Sequence, residues 1–305
     1  MQRNGGMKAA PCLISEPRAP RGIPSWRIDS MGHAEERWSP VLTDLYTRRA
    51  LIWAFANRDF KTRYRASILG WGWSLLQPLA TLVVFAAVFS MVFRVQAPPL
   101  GNGEGSSYAA FLFTGIVTWN LFSSFLNLSM TQLKASGDLL KKVQFPGWAP
   151  VLGASIVQLV QVALEIIVLM GLFVWQRNIG WTWILAIPIL IGTALLAQGI
   201  GLILAILNAR FGDVQYIVAV VLGALYFLTP ILYPISMVQG HNVLLSAVVE
   251  LNPMSWFVQS MHDVMYSLTA PTWWVIPGLL FGGFVTFWIG FVIFNRASED
   301  LGEYL

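Results

Sequence analysis

Arg58, Lys61, Arg63 and Arg65 crowd into eight positions directly ahead of a long apolar run. Arginine presents a planar fork that matches phosphate oxygens. Cations at this junction therefore suit an anion at headgroup depth, either the phosphate of a ligand or the acidic lipids of the bilayer itself. A second polar group stands where it is expensive. Gln158, Gln161 and Glu165 interrupt an apolar segment at spacing i, i+3, i+7, which puts them on one helical face. A carboxylate inside an apolar span marks a functional site by default. The other reading is a hydrogen-bonded contact within a helix bundle. No second carboxylate stands mid-span, so a proton relay lacks a partner. A third group, Leu133, Lys134, Asp138, Lys141 and Lys142, lies in a polar stretch between two apolar runs. Ser136, Gly137 and Asp138 can start a short helix there, with the two lysines at its C-terminal end, where cations suit the dipole.

Other chemistries find no support. The chain holds no G-x-x-x-x-G-K-[ST], and Gly101, Gly103 and Gly105 form a G-x-G-x-G with no lysine after it, which reads as a linker. Cys12 is the single cysteine, and His33, His241 and His262 are scattered, so neither a disulfide framework nor a metal cluster is expected. Glu299, Asp300 and Glu303 trail at the C-terminus and His262-Asp263 stands alone, too little for the acid–base or metal work of a membrane glycosyl- or phosphotransferase. A net charge of +4 is small, and the basic residues flank apolar runs, which points to membrane lipids and not to nucleic acid.

The elements that position these groups follow from hydropathy. The chain is 56% hydrophobic and 11% charged, against about 25% charged in soluble domains. It therefore reads as an all-α polytopic membrane protein. Residues 1–40 are polar and rich in Pro, Gly and Arg, and read as a disordered cytoplasmic tail with Met7 or Met31 as other possible starts. The remaining domain, 41–305, opens with an amphipathic interfacial helix over 45–66. Six transmembrane helices are expected near 70–93, 108–130, 149–175, 181–207, 216–232 and 273–294. PPLGNGEGSS after the first reads as a flexible loop. Between the last two, residues 240–268 hold two apolar pieces too short to cross, split by Glu250-Leu-Asn-Pro253. A re-entrant hairpin fits them; a single distorted span is the alternative. With six spans, all Lys and Arg fall on one side except Arg94 and Arg177. That bias places both termini in the cytoplasm.

The run RDFKTRYRASILGWGWSLLQPL resembles the entry segment of permease subunits of type-2 ATP-binding cassette exporters, in the branch that moves O-antigen, teichoic acid and related lipid-linked polysaccharides. The matching positions are Arg58, Asp59, Lys61, Arg63, Tyr64, Arg65, Ser67, Leu69, Gly70, Trp73, Leu76 and Pro78. KKVQFPGWAPVL (141–152), ARFGDVQYIV (209–218), LTPILYP (228–234) and LNPM (251–254) follow in the same order as in that family.

The resemblance implies a homodimer in the bacterial inner membrane, exporting a polyprenyl-(pyro)phosphate-linked glycan. ATP and Mg²⁺ would belong to two copies of a separate cytoplasmic subunit, and this chain would carry no cofactor. Residues 133–145 would form the coupling helix that rests on that subunit, and 240–268 the gate helices on the external side. Arg58, Lys61, Arg63 and Arg65 would admit the lipid-phosphate end. Trp119, Phe122 and Phe125, with Tyr226, Phe227 and Tyr233, would offer aromatic faces to a sliding sugar chain; belt and lipid packing are the plainer use of such rings. Rich Trp and Arg-over-Lys usage suggest a high-GC actinobacterial source, for which a cell-wall galactan precursor is a natural cargo. A drug or small-lipid exporter of the same superfamily is the nearest rival.

Overall fold

A computed structural model describes residues 45–63, 69–88, 97–142, 145–238 and 243–297. They belong to the unit Pro40–Leu305. The tail 1–40 and Arg65 lie outside the described residues. Every regular element among the described residues is helical. In chain order these are α1 (Arg49–Thr62), α2 (Trp73–Ala87), α3 (Tyr108–Ala135), α4 (Gly137–Lys142), α5 (Trp148–Trp175), α6 (Ala186–Phe211), α7 (Val214–Leu228), α8 (Val243–Leu251), α9 (Pro253–Met261) and α10 (Val275–Ala297).

Among the described residues, four helices are long and apolar enough to cross a membrane: α3, α5, Trp181–Phe211 (a 3₁₀ turn continuing into α6) and α10. The shortest has 23 residues, about 35 Å at 1.5 Å per residue, against a hydrocarbon core of about 30 Å. The other two expected spans are represented by shorter helices, α2 and α7, of 15 residues each. α7 stops where it does because Thr229 precedes Pro230, which disfavours helical backbone at the residue before it; Thr229 is extended, with ψ 137°.

α3 is the centre. Phe111, Leu112, Phe113, Ile116, Val117, Leu121 and Phe125 are all buried. Glycines bring the other long helices close to one another. Gly192 and Gly199 on α6 face Gly283 and Gly290 on α10: a Cβ on Gly283 would lie 2.5 Å from the Gly192 oxygen, and one on Gly290 would collide with the Gly199 oxygen. Small residues let backbones touch where hydrophobic burial gives no drive between helices in lipid. Both pairs advance together along the two chains, so α6 and α10 run parallel. α3 runs with them, because Ser129 meets Gly201 and Met130 meets Asn208. α5 runs the opposite way: Gln176, just past its C-terminus, donates to Ser107 at the start of α3, while Gly147, just before it, packs on Leu133 near the end of α3. α7 also opposes α3, with Gln215 held by Asn208 at one end and Tyr226 against Trp119 at the other.

Among the described residues Arg48, Arg49, Arg58, Lys61, Arg63, Lys134, Lys142, Arg210 and Arg296 gather toward one end of the bundle, with Asp59 and Asp213 among them, and Arg177 stands at the other with Glu104 and Asp263.

The Gly101–Gly105 segment is not a loose linker. Leu100 N–H donates to the Gly105 oxygen at 2.9 Å and Gly101 N–H to the Tyr266 oxygen at 3.1 Å. Asn102 is held by Asn178 and donates to the Gln176 carbonyl. Gly103 and Gly105 supply positive φ values of 76° and 84° for the turn. The region 243–266 is two nine-residue helices meeting at Asn252, followed by a π turn at His262–Tyr266. Asn178 and Thr182 donate to the carbonyls of Val264, Met265 and Tyr266, pairing backbone groups that the irregular turn leaves open.

Candidate functional site

The basic run and the polar trio, far apart in sequence, meet in space. α1 lies along α5 by a stripe of Ile52, Phe55, Ala56 and Asp59. Gly153 makes the approach possible: a Cβ there would sit 2.7 Å from Phe55 Cβ and 3.0 Å from Ala56 N. The Asp59 carboxylate accepts from Gln132 Nε2 at 3.1 Å and pairs with Arg58 at 2.9 Å. Phe60 is 40% exposed; the buried stripe falls on Phe55 and Ala56, which Gly153 admits. Arg58 and Lys61 are exposed. Just past the end of α1, Arg63 donates from its guanidinium to Gln158 Oε1 at 3.0 Å.

Behind that bond lies a cavity of about 270 Å³ between α2, α3 and α5, lined by Arg63, Ser74, Gln77, Pro78, Thr81, Asn120, Ser124, Gln158, Gln161 and Glu165. The i, i+3, i+7 face of α5 is therefore turned inward onto polar space. Gln158, Gln161 and Glu165 are 4%, 6% and 3% exposed. Gln161 Nε2 donates to the Ser74 carbonyl and to Glu165 Oε1. The first of these bonds has a cause in the sequence. Proline has no N–H, so Pro78 cannot bond the carbonyl four residues back, which is that of Ser74. Gln161 supplies the missing donor from the next helix. Glu165 Oε2, Gln161 Oε1 and Ser74 Oγ have no hydrogen-bond partner among the described residues. Buried polar atoms of this kind are satisfied by water or a ligand.

Of the residues singled out from the sequence, Gln158, Gln161, Glu165 and Arg63 line this cavity. Sequence reasoning missed Ser74, Gln77, Thr81, Asn120 and Ser124 as their companions. Asn120 and Ser124, spaced i, i+4 in an apolar run, were a readable signal.

Other expected residues lie elsewhere. Trp119, Phe122 and Phe125 are corrected as conduit residues: their rings are 6%, 4% and 2% exposed, with Trp119 against Phe122 and Tyr226. They pack the core of the subunit. Phe227 is 66% exposed, and Tyr226 and Tyr233 are half-buried. Leu133 is also corrected: it is fully buried, packed on Gly147 beside Phe294, and cannot be a docking contact. The short helix is present as α4, flanked by exposed Lys134 and ending on exposed Lys142. It starts at Gly137 with a backbone bond from Leu139 to the Ser136 oxygen, and Ser136 Oγ makes no cap. The side chains of Asp138 and Lys141 lie outside what is described.

Four helices long and apolar enough to cross a membrane, among the described residues, mark a multi-pass membrane protein. The family follows from comparison. Residues 50–266 match the model of the ABC-2 type transporter, and the chain belongs to that family. It is 28% identical over 264 residues to the O-antigen export system permease protein RfbA of Klebsiella pneumoniae, covering 84% of this chain and 95% of that one. It is 29% identical over 270 residues to RfbA of Myxococcus xanthus, covering 86% and 98%. It is 24% identical over 277 residues to the polysialic acid transport protein KpsM of Escherichia coli, covering 83% and 96%.

Proposed function

We propose that the protein is the membrane subunit of an ATP-driven exporter that carries a lipid-linked polysaccharide from the cytoplasm across the inner membrane. The observation that carries this reading is the likeness, over nearly their full lengths, to O-antigen and polysialic acid export proteins. The cargo is an O-antigen-like glycan or a cell-wall galactan precursor on a polyprenyl phosphate. Two copies of the chain form the permease, and two copies of a cytoplasmic ATPase, which holds ATP and Mg²⁺, dock on α4 near Lys134, Lys141 and Lys142.

The helix directions support a six-span topology. α6 and α10 run parallel, so the chain between them makes one net crossing. α7 makes that crossing. α8 and α9, at nine residues each, reach only about 14 Å apiece and return to the face they left. Their length supports the re-entrant arrangement. The basic end is cytoplasmic by the excess of Lys and Arg, which puts both termini inside. Arg58, Lys61, Arg63 and Arg65 receive the phosphate of the cargo at headgroup depth, and exposed Phe227 with Tyr226 and Tyr233 offers sugar-facing rings.

Depletion of the protein in its host, followed by mass analysis of lipid-linked glycans, tests this. The expected result is accumulation of a full-length lipid-linked polymer on the cytoplasmic side. Unchanged glycans would overturn the polysaccharide assignment in favour of a drug or small-lipid exporter. Neutralising Arg63 in correctly inserted protein is expected to reproduce the accumulation.

A further inference from the structure

The cavity behind Arg63 is more than a gap in packing. Its floor holds a carboxylate oxygen, an amide oxygen and a hydroxyl, Glu165 Oε2, Gln161 Oε1 and Ser74 Oγ, each on a residue more than nine-tenths buried and each without a partner among the described residues. Its walls bring the side-chain amides of Asn120 and Gln77. Arg63 stands at the rim, exposed, its guanidinium tied to Gln158. Gln77 and Thr81 are exposed on α2, so the cavity opens on that side of the bundle.

The inventory selects a ligand. The floor asks for donors, because its open atoms are oxygens, while the Gln77 amide can supply donors of its own and the Asn120 amide already serves Glu165. A metal cation would satisfy the oxygens, but it would sit beside the Arg63 charge. A purely anionic ligand would meet the Glu165 carboxylate. A hydroxylated ring does both jobs, since each hydroxyl donates and accepts. The volume, about 270 Å³, falls just below the roughly 300–1,000 Å³ of sites for drug-sized ligands. It has room for one sugar.

We propose that this cavity is a subsite for the single sugar adjoining the lipid phosphate of the cargo, with Arg63 on the phosphate and Glu165, Gln161 and Ser74 accepting from the sugar's hydroxyls. The inference rests on the lipid-linked glycan reading above and sharpens it: the permease reads the junction of lipid and glycan at its cytoplasmic approach, before the polymer enters. One consequence is that polyprenyl phosphate without sugar is a poor competitor.

The test is binding to the full-length chain in lipid nanodiscs, using polyprenyl-phosphoglucose and the same polyprenyl phosphate without sugar. The wild-type protein is expected to bind the sugar-bearing probe at least tenfold more tightly. Glu165→Gln and Ser74→Ala are each expected to remove about three- to tenfold of that preference, the scale of one hydrogen bond; Ser74→Ala is expected to leave binding of the sugar-free probe unchanged, and Glu165→Gln, which removes a negative charge facing Arg63, to leave it unchanged or tighter. Ser74→Ala breaks no side-chain hydrogen bond made within the described residues, so a folding defect does not confuse its result. Arg63→Gln is expected to weaken both probes. Equal binding of the two probes, or equal loss of both in the Glu165 and Ser74 variants, would overturn the subsite. So would a dependence on sodium or potassium with no sugar preference. Each of these can occur while depletion still accumulates lipid-linked polymer, so failure of the subsite is distinct from failure of the export assignment.

Discussion

The Ser74 carbonyl takes its hydrogen bond from Gln161, across the helix interface, because Pro78 has no N–H to give it. A proline of the entry segment and a glutamine of α5 are thereby one structural unit. Removing the donor alone leaves a buried carbonyl without a partner, which costs about 1–3 kcal/mol. Gln161→Leu is therefore expected to lower thermal stability in detergent. Pro78→Ala restores the N–H, so the double variant Pro78→Ala/Gln161→Leu is expected to recover most of the loss. A double variant no better than Gln161→Leu alone would show that the two residues are not coupled through that carbonyl.

The parallel contact of α6 and α10 rests on backbone touching backbone. Gly283 and Gly290 have no room for a methyl group against Gly192 and Gly199, whereas a Cβ on Gly278 would meet nothing within 4 Å. Overpacking of this kind costs about 1–3 kcal/mol. Gly283→Ala and Gly290→Ala are expected to lower the unfolding temperature of the purified protein measurably. Gly278→Ala, on the same helix, is the matched control and is expected to be neutral. A loss shared equally by all three variants would assign the effect to helix flexibility and not to the contact.

Much of this architecture was legible because lipid and water impose a sharp contrast on sequence. The long spans follow from apolar run length, and the inward face of α5 from the spacing of Gln158, Gln161 and Glu165. What could not be read is what each face meets. In a membrane helix, lipid and protein core are both apolar, so Trp119, Phe122 and Phe125 carried no mark of being interior. The companions of Glu165 come from α2 and α3, dozens of residues away, and only packing brings Ser74 and Asn120 to it. The same holds for α1, where Gly153 decides which stripe is buried. Gly153 admits Phe55 and Ala56, which spacing alone does not single out.

The junction of α8 and α9 is pinned by one side chain. Asn252 Oδ1 accepts from Met254 N at 3.0 Å, capping α9, and its Nδ2 donates to Thr229 Oγ1 at 2.8 Å, past the end of α7. Asn252→Ala loses both, an expected cost of about 1 kcal/mol for the cap and about 1 kcal/mol for the bond. Asn252→Ser keeps a capping oxygen and gives up the reach to Thr229. Hydrogen exchange across 253–261 is expected to rise most in the alanine variant, less in serine. Equal exchange in both would assign the whole effect to the Thr229 bond.

His262, in the π turn just past α9, makes the fold sensitive to acid. Its ring is stacked on Phe111 at 4.0 Å, and Nε2–H donates to the Phe111 carbonyl at 3.0 Å. Burial disfavours the charged imidazolium and holds its pKa down to about 4, although the carbonyl bond pulls the other way. In the unfolded chain the group titrates near 6.5. Between those values the unfolded state binds the extra proton, so stability rises with pH across the window and falls as the solution is acidified from about 6.5 toward 4. The full loss at the acid end is on the order of 3 kcal/mol. The neighbouring Asp263 carboxyl is shifted upward by burial, against the Gln259 bond that lowers it. It therefore acts with the opposite sign, favouring the folded state as it protonates, so the His262 contribution must be isolated by mutation. The substitution His262→Gln keeps an N–H that can reach the Phe111 carbonyl and removes the titrating ring. Thermal unfolding at pH 7 and at pH 4.5 separates the two proteins. The wild type is expected to lose markedly more stability on acidification than His262→Gln. An equal loss in both would mean that the acid sensitivity arises elsewhere in the chain.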